Sequence, residues 1–354
     1  MKKFSLFFLC SLFLFIVETL AQNNSEGIFV HLSTNKGMIV LQLDYKHVPM
    51  TTANFIGLAE GTITNNAFAK GEPYFNGSIW HRVVPEHVIQ AGMPVSKDTL
   101  EGPGYEFPNE IYPGLSHNKA GMLGMANAGP HTNGSQFYIT LGDRSYLDGN
   151  YTLFGWVVDG MDIVYKITQG DTIKSVNIVR IGKEENDFVV TNDSFLKMIN
   201  NAKEKVTIDS VKKKIAEEEW IKTNLPDAMT TNSGVKYLIL KEGSGEKPAP
   251  GTVVKVKYKG KVLLGNLSFA STSEEGKPNF GDDDAEFNYT IGTTKINSGL
   301  DGIIVEMKSG GKRIVIVPSN LAYGTNGFYA KNITGQKRFV ISPNSTLYYE
   351  IEIL

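Results

Sequence analysis

The sequence predicts two folded domains in tandem: a closed antiparallel β-barrel with capping helices, then an α+β domain in which an antiparallel sheet curls around one helix. Three observations lead there. The 354 residues are long for a single hydrophobic core. The first half breaks into many short strand-like runs with two or three short helical runs and no internal repeat, which suits a barrel better than an α/β sandwich. The second half is dominated by period-two alternation and ends on it, in TLYYEIEIL, so its last residues belong to a sheet and not to a frayed tail. A composition of 41% apolar and 20% charged residues, with a formal net charge of -2, carries no basic excess to attract nucleic acid.

Residues 1–21 place two lysines before an uncharged, largely apolar run from Phe4 to Val17, followed by Glu18 and a small Ala21. This is the layout of a secretory signal peptide cleaved near Ala21, and it is too short for a comfortable membrane span. Cys10, the only cysteine, lies inside it, so the mature chain is expected to hold no thiol or disulfide chemistry.

Residues 27–182 form the first predicted domain. The stretch GIFVHLSTNKGMIVLQL (27–43) alternates as a hairpin that turns at Asn35, Lys36 and Gly37. Residues 49–60 start with Pro49 and two threonines, carry Phe55, Ile56 and Leu58 as an apolar stripe and stop at Gly61, which predicts a helix covering an open end of the sheet. Residues 74–90 hold two strand-like runs broken at Pro85, and residues 102–113, rich in glycine and proline, read as a long surface loop. A turn at Leu147, Asp148 and Gly149, a strand over 151–158, a short helix over 161–168 and a closing strand over 175–181 complete the domain.

Residues 183–231 read as a charged, partly helical linker. Val211 and Ile215 fall at helical spacing, and Lys212, Lys213 and Lys214 followed by Glu217, Glu218 and Glu219 make a solvated face. A connecting helix of about three to six turns is the first reading, at 3.6 residues per turn. Self-association or client capture through an exposed Trp220 is the second. Residues 232–354 form the second domain, with GLDGIIVEM (299–307) as a short helix held between strands.

Function speaks most clearly in residues 121–140, GMLGMANAGPHTNGSQFYIT. Asn127, Asn133, Ser135 and Gln136 offer amides and a hydroxyl, while Met125, Phe137 and Tyr138 supply apolar surface. That combination reads as the wall of a groove for an apolar ligand whose backbone is held by hydrogen bonds. The six histidines are scattered without metal-ligand spacing, and nothing calls for a cofactor.

This stretch resembles the signature of the cyclophilins, a family of peptidyl-prolyl cis-trans isomerases. Four further motifs stand in register with it: WHRVVP (80–85), IQAG (89–92), GYEFPNE (104–110) and LDGNYTLFG (147–155). The resemblance implies Arg82 as the catalytic arginine, with Gln90 and Asn127 in the catalytic set. It implies a substrate pocket formed by His87, Val88, Ala126, Gln136, Tyr138, Tyr146, Leu147 and Tyr151. His81 is read as structural. The chain departs from the family at His87, where a phenylalanine is usual, at Val88 for methionine, at Tyr146 for tryptophan and at Tyr151 for histidine.

Residues 232–354 resemble the FK506-binding family of prolyl isomerases through VKVKYKG (254–260), FNYTIG (287–292), GLDGIIVEMKSGGKR (299–313), IVPSNLAYG (316–324) and the terminal strand. The implied pocket comprises Tyr258, Phe269, Phe287, Ile296, Leu300, Tyr323, Ile341 and Tyr349. Here Ala270 replaces an aspartate, Leu300 a tryptophan and Asn297 an apolar residue. Together the resemblances imply an isomerase that assists the folding of exported, proline-containing chains in a bacterial periplasm or cell envelope. The alternative is an envelope binding or scaffold protein whose pockets hold proline segments without efficient turnover.

Overall fold

The structure, a computed structural model, describes residues 26–94, 102–265, 268–271, 278–279, 286–331 and 337–354. The expected leader, with Cys10, lies outside them. β1 (Gly27–Thr34) and β2 (Met38–Leu43) form the expected hairpin, with Thr34 Oγ1 donating to Gly37 O at 2.8 Å inside the turn. α1 (Pro49–Glu60) stops where Gly61 takes a φ of 68°, which glycine adopts without strain. β3 (Arg82–Val84) and β4 (Val88–Ala91) flank the break at Pro85. Then come β5 (Met122–Met125), β6 (Phe137–Thr140), β7 (Leu153–Asp159), the one-turn α2 (Met161–Val164) and β8 (Ile173–Ile181). The strands lie in the order β3-β4-β6-β5-β7-β2-β1-β8, each pair antiparallel.

The expected closed barrel does not form. The sheet is an open, curled half-barrel whose edges lie 13 Å apart and are not hydrogen-bonded to each other. One edge, β3, has three residues and the other, β8, has nine, so the short edge cannot supply the staggered register that closure demands. The segment before β3 meets the start of β8 and the residues before it, through Trp80 N donating to Asp171 O at 2.9 Å and Ile173 N donating to Ser78 O at 2.8 Å.

α1 seals the concavity. Every residue from Met50 to Ala59 is buried, and the Phe55 ring lies 4.9 Å from Phe75, 5.4 Å from Phe137 and 5.5 Å from Phe154. A helix buried around its whole circumference needs cover on both sides. The sheet gives one side; beyond the short α3 (Lys183–Asp187), α4 (Asn192–Asn224) gives part of the other.

α4 is a 33-residue helix, about nine turns, longer than the sequence suggested. A capping box between Thr191 and Ser194 starts it. Phe195 and Ile199 in its first turns belong to the core of the first domain. At its other end Trp220 packs edge-on against Tyr348, ring centroids 5.9 Å apart, and Leu225, just past the helix, is buried with Leu263 and Ile316 of the second domain. Trp220 is therefore engaged within the chain. Between the two anchors Ile208, Val211 and Ile215 are exposed.

The second domain comprises β9 (Met229–Thr230), β10 (Lys236–Lys241), β11 (Val253–Val262), β12 (Ser268–Ser271), β13 (Pro278–Asn279), β14 (Glu286–Thr290), α5 (Ser298–Ile304), β15 (Lys312–Val317), the hairpin β16 (Phe328–Lys331) and β17 (Lys337–Ile341), and β18 (Leu347–Ile353). Its main sheet runs β13-β12-β11-β18-β15-β10-β9, with β14 pairing to the first half of β11. This sheet is neither closed nor strongly curled, so the expected wrapping around the helix fails as well. The seven residues of α5 bury Gly299, Leu300, Ile303 and Ile304 against the sheet, and two turns cover a patch without giving strands a body to wrap. Among the described residues no helix is long and apolar enough to cross a membrane, and no group of His, Cys, Asp or Glu is placed to hold a metal.

Candidate functional site

Strand register builds the first site. Arg82 on β3 stands opposite Gln90 on β4, and Gln90 stands opposite Tyr138 on β6, so three side chains separated in sequence form one row across the sheet. Arg82 is exposed; its Nη1 donates to Gln90 Oε1 at 3.2 Å, and Gln90 Nε2 donates to Gln136 Oε1 at 2.9 Å. The guanidinium is thus aimed by a relay of two amides. Beside the row, Val88, Tyr138 and Leu147 form a small buried apolar cluster, with Ala126, Tyr146 and Tyr151 packed around it. Gln90, Ala126, Asn127 and Gln136 line an adjoining groove of about 820 Å³. Asn127 Oδ1 accepts from Gly129 N at 3.3 Å and its Nδ2 donates to Asn150 O at 3.3 Å, which fixes the amide on the groove rim.

Seven of the eight expected pocket residues therefore come together around Arg82. His87 does not join the apolar cluster. The β3–β4 turn pairs Val84 with Val88, which sends Val88 into the cluster and leaves His87 behind Tyr146, stacked on it at 6.3 Å and accepting a 2.9 Å hydrogen bond from Arg144 Nε. His81 is half-buried, and burial, assisted by the charge of Arg82, pushes its imidazole below its ordinary pKa, so the ring is neutral near pH 7. It faces no acid–base task that a protonated ring would serve.

Two residues of this site were missed in the sequence. His117, 1% exposed, lies within 2.6 Å of Asp148 Oδ1 through Nδ1 and within 2.7 Å of the Tyr138 hydroxyl through Nε2. A carboxylate only accepts, so Nδ1–H donates to Asp148, while Nε2 shares a hydrogen bond with the Tyr138 hydroxyl. Burial pushes the Asp148 carboxyl up, but the hydrogen bonds from His117 and Ser116 outweigh it and hold the group below the usual carboxylate range. Gly124 makes the arrangement possible, since a Cβ there would meet the Tyr138 ring and hydroxyl at 2.5 Å. The pocket floor is thus a tyrosine tethered from below. His117→Leu is expected to remove the hydrogen bonds that tether Tyr138 and Asp148, lower stability by about 1–3 kcal/mol and raise KM for peptide ligands, and adding Tyr138→Phe should restore part of both losses. Denaturant titration beside steady-state kinetics checks this; a double variant no better than the single one contradicts it.

The second set of candidates is collected as one aromatic nest. Tyr258, Phe269, Phe287, Ile296, Leu300, Ile341 and Tyr349 are all buried in the core of the second domain, and Tyr323 is half-buried at its edge. Tyr349 sits at the centre, edge-on to Tyr258 at 5.4 Å and to Phe269 at 5.8 Å. Gly260 leaves room for these rings, because a Cβ would meet Phe269 at 2.4 Å and Tyr349 at 2.9 Å. Asn297 caps α5 by accepting from Leu300 N at 2.9 Å, and its Nδ2 donates to Tyr349 Oη at 2.9 Å. The polar residue at an otherwise apolar position is thereby satisfied twice, and burial pushes the Tyr349 phenol well up, so it stays protonated.

Comparison with known proteins finds a match for each half of the chain. The family model described as cyclophilin type peptidyl-prolyl cis-trans isomerase matches residues 29–185, and that described as FKBP-type peptidyl-prolyl cis-trans isomerase matches residues 244–354. A probable peptidyl-prolyl cis-trans isomerase A of Mycobacterium leprae is 44% identical over 149 residues, 41% of this chain and 79% of that protein. The human peptidyl-prolyl cis-trans isomerase-like 1 is 39% identical over 145 residues, 40% of this chain and 81% of that protein. A crystal structure of a cyclophilin type isomerase from Cryptosporidium parvum aligns with 44% of this chain and 98% of that one, at 28% identity and a TM-score of 0.37.

Proposed function

The chain belongs to the cyclophilin-type peptidyl-prolyl cis-trans isomerases, carries an FKBP-type isomerase domain behind that one, and from this premise we propose that it is an exported two-site folding catalyst. Isomerase activity and a role in folding follow from the family. Export rests on the leader in residues 1–21, and the clients are unfolded chains that present X-Pro bonds.

An X-Pro amide interconverts over a barrier of roughly 18–20 kcal/mol because its C–N bond has partial double-bond character. No bond to the substrate need form. The enzyme has only to favour the twisted amide, whose nitrogen regains a lone pair that an oriented guanidinium can meet. The observation that carries this reading is the Arg82–Gln90–Gln136 relay beside the Val88, Tyr138 and Leu147 cluster. The cluster holds the proline ring dry, Asn127 and Gln136 hold the flanking backbone, and Arg82 donates toward the nitrogen. At the second site the aromatic set around Tyr349 offers apolar surface for desolvation, without a charged partner, in keeping with Ala270.

The test is the refolding of a protein whose slow phase is an X-Pro isomerisation. The rate of that phase should rise in proportion to catalytic amounts of the full chain. A phase that quickens only at stoichiometric amounts, or not at all, defeats the proposal.

A further inference from the structure

We propose that the second domain builds part of the first domain's substrate groove and sets its preference for the residues flanking the proline; this rests on the isomerase reading of the first site. A cleft of about 420 Å³ lies between the two domains, lined on one side by Asn127, Pro130 and Tyr151 and on the other by Thr325, Asn326 and Pro343. It is continuous with the site already described: Asn127 also lines the main groove, and Tyr151 packs against the apolar cluster. The approach is close, since a Cβ on Gly129 would lie 3.9 Å from the Thr325 carbonyl oxygen, and β17 runs past the turn at Ser145–Leu147 that carries Leu147.

The placement is built in rather than accidental. α4 is one uninterrupted helix of about 50 Å at 1.5 Å per residue, anchored in the first core by Phe195 and Ile199. At the other end Lys213 Nζ donates to Asn344 O at 3.2 Å and Thr346 Oγ1 donates to Glu217 Oε2 at 2.8 Å, one residue and three residues beyond Pro343. The helix thus holds both the groove and the turn that faces it. The turn itself, residues 323–327, is set by Gly324 and Gly327, with φ of 55° and 63°.

The chemistry of the cleft names its occupant. Among the described residues no acidic or basic side chain lines it; amides, a hydroxyl, a phenol and two prolines make the walls. Amides pair with an extended main chain, and an uncharged wall penalises a charged side chain that must shed water without a counter-charge. A polypeptide seated with its proline beside Arg82 would continue into this cleft, where uncharged flanking residues are accepted and charged ones are disfavoured.

The experiment compares cis-trans exchange of a four-residue X-Pro peptide with that of a ten-residue peptide of uncharged flanks, using the full chain. Asn326→Trp should fill the cleft and lower the long-to-short ratio of kcat/KM at least fivefold, mainly through KM. Asn326→Asp, close in shape, should shift the preference among long peptides toward lysine-flanked ones. Both effects should vanish in an Arg82→Ala background. An unchanged ratio, or effects that persist in that background and so belong to the second site, would overturn the inference. Absence of exchange even for the short peptide would instead tell against the isomerase reading.

Discussion

Arg82→Ala is expected to lower the first domain's kcat/KM for X-Pro exchange by about 100- to 1,000-fold, the usual loss when one oriented donor to a transition state is removed, or about 2.7–4 kcal/mol. Several features make the loss specific to chemistry. Arg82 is exposed, and its one side-chain hydrogen bond, to Gln90, leaves no core contact behind when it goes, so the fold should melt where it did before. Arg82→Lys should recover little, because an ammonium lacks the planar fork that can hold a carbonyl and face the nitrogen at once. Burial keeps His81 neutral above its lowered pKa, so kcat/KM should be flat from about pH 7 to 9. A bell-shaped profile would assign the work to a general acid and base instead. Acceleration in Arg82→Ala beyond the first domain's residual 0.1–1%, at about 100- to 1,000-fold loss, measures the second domain's share.

The legible parts of this site are those that strand periodicity delivers. Once WHRVVP and IQAG are read as two strands around Pro85, register alone carries Arg82 to Gln90 and onward to Tyr138. The unread parts depend on partners far away in sequence. Nothing in the run around His117 points 31 residues ahead to Asp148, whose LDG context reads as a turn. α1 begins with Val48 at its cap position, which cannot satisfy the first amides; Glu110 does so from across the chain, accepting from Met50 N at 3.1 Å and Thr51 N at 2.8 Å. The missing cap was a visible clue, but not to its remedy. Barrel closure was misread for a related reason: alternation counts strands but says nothing about edge lengths, and a three-residue β3 leaves the sheet open. His87 shows the same limit at single-residue scale, because the tight β3–β4 turn, not the spacing, decides that Val88 faces the pocket.

Phe195→Ala is expected to destabilise the first domain by about 3–5 kcal/mol, although the sequence places this residue in a charged linker. The ring is 1% exposed and packs against Tyr105 at 5.5 Å and Phe107 at 6.3 Å, with Val190 and Ile199 in the same core. Tyr105 in turn donates to Asn54 Oδ1 at 2.7 Å on α1 and lines the substrate groove, so a void at Phe195 lies directly behind the groove wall. With stability margins of about 5–15 kcal/mol for folded domains, such a loss is a large fraction of the total. At about 2–4 °C per kcal/mol for a domain of this size, the first domain's calorimetric transition should fall by about 6–20 °C. Ile215→Ala, on the exposed middle of the same helix, should stay within about 0.5 kcal/mol of the parent. Equal, small shifts in the two variants would mean that α4 merely connects the domains. A large shift at Phe195 alone makes its first turns structural members of the isomerase, and the same helix that closes this core then also fixes where the second domain meets the groove.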